Sequence, residues 1–521
     1  IASLGGSVGI AVDVADGQSV AVAAVGFSLK SEADAAEAVA EAEAVGFDAV
    51  ADAAWNTWDA TLSRIAVLDD ATQTGARRER NLFYSVLFHA LRKPTDATQF
   101  VPDDWHADLS RRGYAFDYGT MWDQYKTTLP LLVSVFPEMG QTVVRSLLSL
   151  SKRYGDFPTG YTMDEAVTRF DGQAHGLAHH TIADAFFRNS TAVDWNQMLD
   201  AMELTFTNTS EGQQFVRTGI TDPVHVTHTL DLAGAAFATA SVAHRLNEPA
   251  VAAAMSNVTG AWRNAFDEVT CLLKNSSGYD YYEGTYMNYG FRPLTQMAER
   301  IALCDQHDSA LAEKRFVEYM DAFFGYGRAA AVQLPITPFG GASPDWVRDV
   351  GEQGFSSHTF EGLCNEPDME TPYSYAYARR ADRVQEVVAA VKSYSYAPGR
   401  GGLVGNDDSG GEAAWFVWAS IGLFPIAGQP VYVIGSPSFG AVVVRLVLAG
   451  GEDKSLRVER RGGGAYIQSG SLDGLDLGGR AWVWTHELHR PGDSVLLLQM
   501  GPNPASLWGS VPPPSFTHFS K

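Results

Sequence analysis

The sequence predicts a mainly α-helical fold, in which a helical toroid is flanked by β elements. Two observations predict it. From about Ala76 to Ile426, long amphipathic helical segments alternate with Gly/Pro/Asp/Asn-rich loops that carry aromatic residues. After Pro425 the pattern changes to short runs of alternating apolar residues, which are typical of strands. Paired helices can form the wall of a toroid while the loops at one end build a pocket.

The elements follow in chain order. Ser19–Leu29 alternates small and apolar residues and predicts a strand, so residues 1–30 are expected to be the tail of an N-terminal β-sandwich whose beginning is missing. Ser31 is suited to cap an Ala/Glu-rich helical linker over 31–75. The toroid is expected over 76–426, with helices at 77–92, 119–136, 138–154, 180–188, 227–246, 249–273, 292–304, 308–324, 379–393 and 411–423. A C-terminal β segment is expected over 427–521, with strands at 431–434, 441–448, 456–460, 466–469, 481–485 and 494–498.

Composition limits the classes of partner. The 61 acidic residues against 38 basic ones give a net charge of −23 over 521 residues, which disfavours nucleic acid and anionic lipid as partners. No apolar run approaches the roughly 20 residues of a membrane-spanning helix. A protein that binds a cation or a neutral substrate is compatible with this charge.

Cysteines and glycosylation sequons bear on the compartment. Three cysteines are too few for a disulfide scaffold, and their odd number leaves at least one free thiol. Four N-glycosylation sequons cluster within residues 189–275 and favour a secreted, extracellular or vacuolar glycoprotein. The sequons begin at Asn189, Asn208, Asn257 and Asn275.

The segment Gly401–Trp415 places two adjacent carboxylates, Asp407 and Asp408, in a glycine-flanked loop that leads directly into a predicted helix. A helix N-terminus offers unpaired N–H groups and the positive end of the dipole, which keep an Asp there ionised. An ionised carboxylate on a tight loop suits a general base or a cation ligand. An open alternative is that Asp408 only caps the helix at 411–423.

Two further loops combine carboxylates with amides or aromatic rings. Asn365 and Glu366, stiffened by Pro367, form a half-site for a hard cation. Trp122 beside Asp123 suits stacking against a sugar ring and hydrogen bonding to its hydroxyls. An ordinary loop turn and core packing explain these two patterns as well.

An aromatic loop, Tyr281–Tyr289, surrounds Glu283 and Asn288 with tyrosines. A packed loop with a solvated Glu is an equally open interpretation. Histidines also cluster, but no matching carboxylate spacing accompanies them, which favours a structural role over metal binding. These histidines are His175, His179, His180, His225 and His228.

Together these segments resemble the calcium-dependent exo-α-mannosidases of glycoside hydrolase family 92. Gly402–Phe439 is similar to the family signature in order, spacing and flanking strands. Asn365-Glu366-Pro367 matches the family's NEP element, Trp122-Asp123 its WD element, and Glu283-Gly284 the start of its acid loop. The family fold implies an (α/α)6 toroid with flanking β-sandwich elements, of which this chain would keep a remnant of the N-terminal sandwich and the C-terminal β segment.

The resemblance implies inverting hydrolysis of a terminal α-mannoside, with Ca²⁺ binding the mannose O2 and O3 hydroxyls. Asp408 would be the base with Asp407 beside it, and Asn365 and Glu366 would be metal ligands. Glu366 would also bind substrate. Trp122 and Asp123 would line the mannose subsite, and Glu283 is a further candidate catalytic residue.

The departures from the family pattern concern the general acid above all. Asn288 stands five residues after Glu283, where many members have a Glu, and an amide cannot protonate a leaving oxygen. A phosphomonoester leaves without a proton. In lacking this acid, the chain resembles family members that act on mannose-1-phosphate diesters. After the NEP element, Asp368-Met369 stand where the family usually has a small residue and a His. After the two aspartates, Gly411 stands where it has a Gln. Gly176 and Leu177 occupy the places of an expected Asp and His.

Three hypotheses follow. The chain is a hydrolase of α-mannosides or mannose phosphodiesters, a catalytically inactive secreted homologue with a sugar-binding, structural or assembly role, or a protein that shares only the fold. The expected partner is a mannose-containing glycan or mannose phosphodiester. The missing N-terminal part as a separate chain, or a larger extracellular assembly, is a second candidate partner. Neither nucleic acid nor a membrane span is expected.

Overall fold

A computed structural model describes residues 22–28, 30–69, 74–96, 115–116, 119–157, 159–161, 174–221, 226–275, 281–324, 363 and 365–516. The chain divides into two compact units. One comprises residues 1–61 with 99–105, and the other residues 62–98 with 106–521. In the described part, no helix combines the length and the apolar character needed to cross a membrane.

The first unit is helical where it is described. Helices α1 (Glu32–Val45) and α2 (Phe47–Leu62) are separated by Gly46, whose φ of 84° suits a residue without a Cβ. The hydroxyl of Ser31 accepts a hydrogen bond from the Asp34 amide (3.1 Å), so the predicted cap is confirmed. The described part of the predicted strand, 22–28, has no regular secondary structure, and residues 1–21 lie outside the described residues.

The second unit contains most of the helices, and its two longest, Val226–Arg245 and Pro137–Tyr154, bury more than half of their residues. The helix Gly411–Ile421 buries every residue, because its sequence is apolar on all sides except for Glu412 and Ser420. The helices are α3 (Thr74–Ala90), α4 (Met121–Gln124), α5 (Thr128–Val135), α6 (Pro137–Tyr154), α7 (Ala178–Phe187), α8 (Trp195–Thr207), α9 (Ser210–Thr218), α10 (Val226–Arg245), α11 (Pro249–Thr259), α12 (Tyr286–Gly290), α13 (Met297–Ala302), α14 (Ser309–Phe323), α15 (Ala381–Ser395), α16 (Gly411–Ile421) and α17 (Thr485–Leu488). Single 3₁₀ turns and short 3₁₀ helices lie at Gly260–Ala265, Glu366–Asp368, Thr371–Ala378, Asp408–Gly410 and Ala449–Gly451.

Strands follow the helices and form two main sheets. A six-stranded sheet has the order β1-β8-β9-β13-β10-β11, and a three-stranded sheet has the order β12-β7-β6. Two short pairs, β2-β3 and β4-β5, lie among the helices. The strands are β1 (Ile65–Val67), β2 (Thr95–Asp96), β3 (Ala115–Phe116), β4 (Gly119–Thr120), β5 (Gly160–Tyr161), β6 (Leu423–Pro425), β7 (Val431–Ile434), β8 (Ala441–Val447), β9 (Asp453–Arg461), β10 (Tyr466–Leu472), β11 (Leu475–Asp476), β12 (Trp482–Trp484) and β13 (Ser494–Gly501).

The helical linker predicted over 31–75 contains a strand. Strand β1 pairs antiparallel with β8, so that Ile65 lies opposite Val444 and Val67 opposite Val442. Ile65 and Val67 are buried. The pairing partner lies more than 370 residues away in the sequence, and a three-residue apolar run carries no periodicity that could announce it.

A disulfide joins Cys271 to Cys304 and encloses the aromatic loop that carries Glu283 and Asn288. The third cysteine, Cys364, lies outside the described residues. Loops between the helices bring this segment, helix α4 and the start of α16 together, and the candidate site lies where they meet.

Candidate active site

The short helix α4 presents the first two predicted site residues. Thr120, opposite Gly160 in the β4-β5 pair, caps α4. Its hydroxyl accepts a hydrogen bond from the Asp123 amide (3.3 Å) and donates one to the Asp123 carboxylate. Trp122 is buried and packs edge-on against Tyr282, with ring centroids 5.4 Å apart. The cap therefore orients Asp123, and the aromatic loop fixes Trp122.

The loop before α16 has a left-handed backbone. Asp407, Ser409 and Gly410 have φ values of 58°, 51° and 82°. One carboxylate oxygen of Asp407 accepts a hydrogen bond from the Ala413 amide (2.9 Å). The capping role that the sequence offered to Asp408 is thus taken by Asp407. Burial raises the pKa of Asp407 to about 6, although this hydrogen bond opposes the shift.

This loop packs closely on α4. The Ser409 hydroxyl donates to the Asp123 carboxylate (3.0 Å), and the Gln124 amide donates to the Ser409 carbonyl (3.1 Å). A Cβ on Gly411 would lie only 2.3 Å from the Asp123 carbonyl oxygen, so the position accepts no side chain without movement. Burial raises the pKa of Asp123 to about 6, with hydrogen bonds from Thr120 and Ser409 opposing and the charge of Asp408 adding to the shift.

Three carboxylates converge next to this contact. Glu366, Asp408 and Glu412 each offer an oxygen, and these oxygens all lie within 4.8 Å of one another. Glu366 and Glu412 are 0 % exposed, and neither oxygen of either side chain has a hydrogen-bond partner in the described part of the chain. An unpaired buried polar group costs about 1–3 kcal/mol, and native proteins contain few of them. Converging carboxylate oxygens are the ligand set of a hard cation such as Ca²⁺.

The electrostatics of the cluster agree with this interpretation. Burial, together with the charges of Asp123 and Asp408, raises the pKa of Glu366 well above its usual range. Burial, together with the charges of Glu366 and Asp408, does the same for Glu412. Burial also raises the pKa of Asp408, but there Lys93 opposes the shift. The ionised forms of the two buried glutamates therefore need a compensating positive charge.

Asn365 connects two predicted loops. Its Nδ2 donates to the Glu283 carbonyl oxygen (2.8 Å), and its Oδ1 accepts from the Glu366 amide (3.2 Å). Glu283 itself has a φ of 43°, a strained value for a residue with a side chain. Burial and the neighbouring charge of Glu283 raise the pKa of the Tyr282 hydroxyl to about 12. Asn365 thus links the backbone of Glu283 to the backbone of Glu366.

Asn288, at the predicted position of the general acid, is fully buried and makes hydrogen bonds in both directions. Its Nδ2 lies 3.1 and 3.2 Å from the two carboxylate oxygens of Asp368. Its Oδ1 accepts from the amide (2.9 Å) and hydroxyl (2.7 Å) of Thr285 in a capping box at the start of α12. Asp368 is buried as well. The pair therefore joins the aromatic loop to the Glu366–Asp368 turn.

A cleft beside the carboxylate cluster has a basic wall. His89, Arg92 and Lys93, at and just after the end of α3, face the segment Asn406–Gly410 across it. Asp408 lies on the cleft side of the cluster and is partly exposed. Arg92 and Lys93 place two positive charges near Asp407 and Asp408 in this cleft, and such charges can also bind an anionic group on a ligand.

A fully paired ionic network lies behind the cluster. The Lys126 ammonium donates to the Glu366 carbonyl oxygen (2.8 Å), and Arg292 pairs with Asp231 (2.8 Å). Burial raises the pKa of Glu370, and the neighbouring charges of Lys126 and Arg292 oppose this shift. The Glu370 carboxylate also accepts a hydrogen bond from a backbone amide (3.2 Å). Burial lowers the pKa of Lys126 to about 8. This network supports the Glu366 backbone from below.

The predicted histidine cluster separates into structural contacts. His228 hydrogen-bonds to one carboxylate oxygen of Glu211 (2.6 Å), and His175 Nδ1 lies 3.0 Å from the other in an ion-pair contact. Burial opposes ionisation of Glu211, but the contacts with these two histidines outweigh it and hold its pKa at about 2. His179 contacts two backbone carbonyl oxygens, at 3.1 and 3.0 Å, and His180 lies 3.4 Å from another. His225 lies outside the described residues.

The structure therefore brings the predicted residues into one place: Trp122 and Asp123 on α4, Glu283 and Asn288 on the aromatic loop, Asn365 and Glu366 on the 3₁₀ turn, and Asp407 and Asp408 before α16. Three participants were missed. Glu412 follows Asp408 by four residues and reads as an ordinary acidic residue in the first turn of a helix. Ser409 and Asp368 enter through contacts that only the folded chain creates.

The catalytic domain of glycosyl hydrolase family 92 matches residues 35–502, which is most of the chain. The chain belongs to glycoside hydrolase family 92. This confirms the resemblance that the sequence motifs predicted.

Solved structures of GH92 members have a similar fold. A family GH92 α-mannosidase from Bacteroides thetaiotaomicron aligns with 94% of this chain and 64% of its own length, with a TM-score of 0.76 and 19% identity. It has also been solved in complex with mannoimidazole. A GH92 inverting mannosidase from B. thetaiotaomicron VPI-5482 aligns with 93% of this chain and 67% of its own, with a TM-score of 0.74 and 19% identity. The predicted fold class, an α/α toroid with β-sandwich elements, is confirmed.

A sequence relative is described as an uncharacterized secreted glycosidase from Arthroderma benhamiae. It is 27% identical over 286 residues, which are 49% of this chain and 33% of the relative. The chain thus spans about a third of this relative, and less than two thirds of the α-mannosidase structure.

Proposed function

We propose that this GH92 chain is a glycoside hydrolase that releases terminal α-linked mannose by single-displacement, inverting hydrolysis with Ca²⁺. The observation that carries the proposal is the convergence of Glu366, Asp408 and Glu412 beside Trp122 and Asp123. Inverting hydrolysis uses one carboxylate that activates water and, for a poor leaving group, a second carboxyl group that protonates the leaving oxygen. The GH92 structures described as an α-mannosidase and an inverting mannosidase support the same reaction.

The cluster fits Ca²⁺ by its chemistry. Its ligands are oxygens, the two glutamates are fully buried, and their four carboxylate oxygens have no other partner in the described residues. Glu366 would hold the ion, and Asn365 would support it by fixing the Glu366 backbone and offering its carbonyl oxygen. A bound Ca²⁺ supplies positive charge that attracts sugar hydroxyls.

The protein's own side chains supply the remaining chemistry. Asp408 is the candidate base, since it is the cluster member that reaches the cleft, and Lys93 favours its ionised form. Trp122 and Asp123 would position the mannose ring, with Asp123 held by Thr120 and Ser409. Asp407 shapes the loop through its bond to the Ala413 amide.

Asn288 and the basic wall of the cleft favour a phosphomonoester as the leaving group. Asn288 cannot donate a proton to a leaving oxygen, and both ends of its amide are already bonded to Asp368 and Thr285. Water attacking C1 of a mannose-1-phosphate diester breaks the C1–O bond and releases a phosphomonoester, which needs no acid to leave. Arg92 and Lys93 would then bind that phosphate in the cleft.

Two observations support a secreted glycoprotein. A disulfide joins Cys271 to Cys304, and disulfides persist in oxidising compartments. Three of the four sequon asparagines are exposed: Asn208, Asn257 and Asn275. The secreted relative from Arthroderma benhamiae agrees. A vacuolar location, a separate N-terminal chain and a larger extracellular assembly stay predictions.

A second candidate function is that of a catalytically inactive, sugar-binding homologue. The bonded state of Asn288 favours it, because the site then has no proton donor where the family places one.

Turnover decides between the two functions. An activated aryl α-mannoside, a mannose-1-phosphodiester and an α-mannobiose would be assayed with Ca²⁺ and with chelator. We expect the first two to be cleaved, with β-mannose as the first product by NMR, and the mannobiose to react at least about 100-fold more slowly. Equal cleavage of mannobiose contradicts the leaving-group proposal. No cleavage of any substrate, with calcium-dependent mannose binding, supports the inactive homologue.

A further inference from the structure

Glu412 is the member of the carboxylate cluster that no sequence motif assigned. It is the second residue of α16, a helix whose other side chains are almost all apolar. Its side chain is 0 % exposed, and both of its oxygens lack a hydrogen-bond partner among the described residues. One of them lies within 4.8 Å of ligand oxygens of Glu366 and Asp408. A helix this apolar gains nothing from a buried carboxylate unless a ligand compensates for it.

A comparison with Glu370 shows that the fold can satisfy a buried carboxylate when its role is structural. Glu370 is also buried, but its carboxylate accepts from the Ala427 amide (3.2 Å) and has Lys126 and Arg292 as positive neighbours. Glu412 has two negative neighbours in place of these, Glu366 and Asp408. With these carboxylates ionised, such an arrangement is stable only around a positive charge.

We propose that Glu412 is the third carboxylate of the cation site and would bind the ion directly, reaching it from α16. This inference rests on the calcium part of the proposed function and not on hydrolysis. Because its two glutamates are fixed in the protein interior, the chain holds the cation before any sugar arrives. Ligand charge and rigidity set calcium affinity, so a third carboxylate increases it.

The inference also predicts ion selectivity. Mg²⁺ dehydrates reluctantly and keeps several waters, which a dry pair of glutamates does not accommodate. Ca²⁺ accepts more protein oxygens in irregular geometry, and a trivalent lanthanide of similar size balances three carboxylates fully. We therefore expect Tb³⁺ to bind more tightly than Ca²⁺, and Ca²⁺ more tightly than Mg²⁺. Trp122 packs against Tyr282, and the charge of Glu366 acts on Tyr282, so these rings are the expected sensitisers of Tb³⁺ luminescence.

The test measures cation binding directly. Chelator-treated full chain would be titrated with CaCl₂ by calorimetry and with TbCl₃ by luminescence, for the wild type, Glu412→Gln, Glu412→Asp and Glu211→Gln. We expect one site per chain, a loss of calcium affinity of at least about tenfold in Glu412→Gln, and a smaller loss in Glu412→Asp. Glu211→Gln is the control, a glutamate that pairs with His175 and His228 outside the cluster, and should keep its affinity within about threefold.

Unchanged affinity in Glu412→Gln, or no cation binding by the wild type, overturns the inference. If circular dichroism shows that Glu412→Gln has lost its fold, Glu412→Asp decides: weaker binding supports the inference and unchanged binding overturns it. Hydrolysis is measured separately. Weakened binding in a chain that cleaves no mannoside keeps this inference and contradicts the hydrolase.

Discussion

The polar groups of the candidate site fall into two regions that differ in how their hydrogen bonds are made. On the side of the aromatic loop, Asn288 is buried and bonded at both ends, to Asp368 and Thr285. On the side of α16, Glu366 and Glu412 are equally buried, yet their four oxygens have no partner in the described residues. Both regions lie in the protein interior, so burial alone does not separate them.

The difference teaches which polar residues are structural and which serve a ligand. A buried group that the protein satisfies itself stabilises the fold, because its desolvation is already compensated. A buried charge that the protein leaves unsatisfied costs stability and persists only where a ligand compensates for it. Asn288 thus reads as a clamp between two loops, and the carboxylate cluster as a binding site.

The largest expected effect concerns the carboxylate cluster, whose buried oxygens lack hydrogen-bond partners in the described residues. Asp408→Asn removes the candidate base, and we expect kcat/KM for an activated mannoside to fall by about 10³-fold, equivalent to about 4 kcal/mol. Asp407→Asn is the control. Its amide oxygen still accepts from the Ala413 amide, so a much smaller loss is expected. Equal losses in the two variants would show that the structure does not separate their roles.

The next prediction tests the buried hydrogen bond between Asn288 and Asp368. Asn288→Glu restores a carboxyl at the acid position but places it against Asp368, where Asn288 now donates at 3.1 Å. Two carboxylates in that buried place should destabilise the protein by about 4 kcal/mol, measured by urea unfolding. The bond to Thr285 survives, because a Glu serves a capping box.

Asp368→Ser supplies the matching half of a double-mutant cycle. We expect the double variant Asn288→Glu/Asp368→Ser to recover most of the lost stability and to gain cleavage of α-mannobiose. A stable Asn288→Glu single variant would refute the clamp, since the repulsion with Asp368 is then absent.

A third prediction uses a satisfied cluster away from the site. Glu211 has a folded pKa of about 2, below its ordinary 4.5, because His175 and His228 bond to it. A lowered pKa gives stability that is present above about pH 4.5 and is lost as pH falls towards 2. Wild type should exceed Glu211→Gln by about 3 kcal/mol at pH 7. The gap should narrow between pH 4.5 and pH 3 in unfolding measurements, and a gap independent of pH contradicts the assignment.

The smallest effect concerns the close contact between α4 and the start of α16. Gly411→Ala would bring a methyl group to 2.3 Å from the Asp123 carbonyl oxygen. The movement this requires should cost about 2 kcal/mol, read from the shift in melting temperature. Gly435→Ala is the control, as a buried glycine whose added Cβ would meet no atom within 4 Å. Similar costs at both positions would argue against a tight contact at Asp123.

Strands and long helices were predictable from the sequence because their signals are local. All six strands predicted after Pro425 are confirmed, since alternation marks each one. Helices α8 and α9 were not predicted, because polar residues make up about half of α8 and most of α9 and obscure the helical pattern. Strand β1 was missed because its partner is distant in sequence.

The site was predictable only in its motifs. Glycine-flanked aspartates and the Asn365-Glu366 pair carry recognisable chemistry, and the structure brings them together. The division of labour between Asp407 and Asp408 depends on left-handed backbone angles that no composition reveals. Glu412 could not be assigned, because its role depends on the approach of Glu366 from another loop.

The Cys271–Cys304 bond has a consequence for how this site matures. It closes a loop across 33 residues that contains the whole aromatic segment. By loop-closure entropy, such a crosslink removes about 4 kcal/mol of freedom from the unfolded chain. Before oxidation, the segment that holds Asn288 is held by its hydrogen bonds and by packing contacts such as that of Tyr282 on Trp122. The site therefore reaches its full rigidity after the thiols have met an oxidant, which ties assembly of the pocket to an oxidising environment.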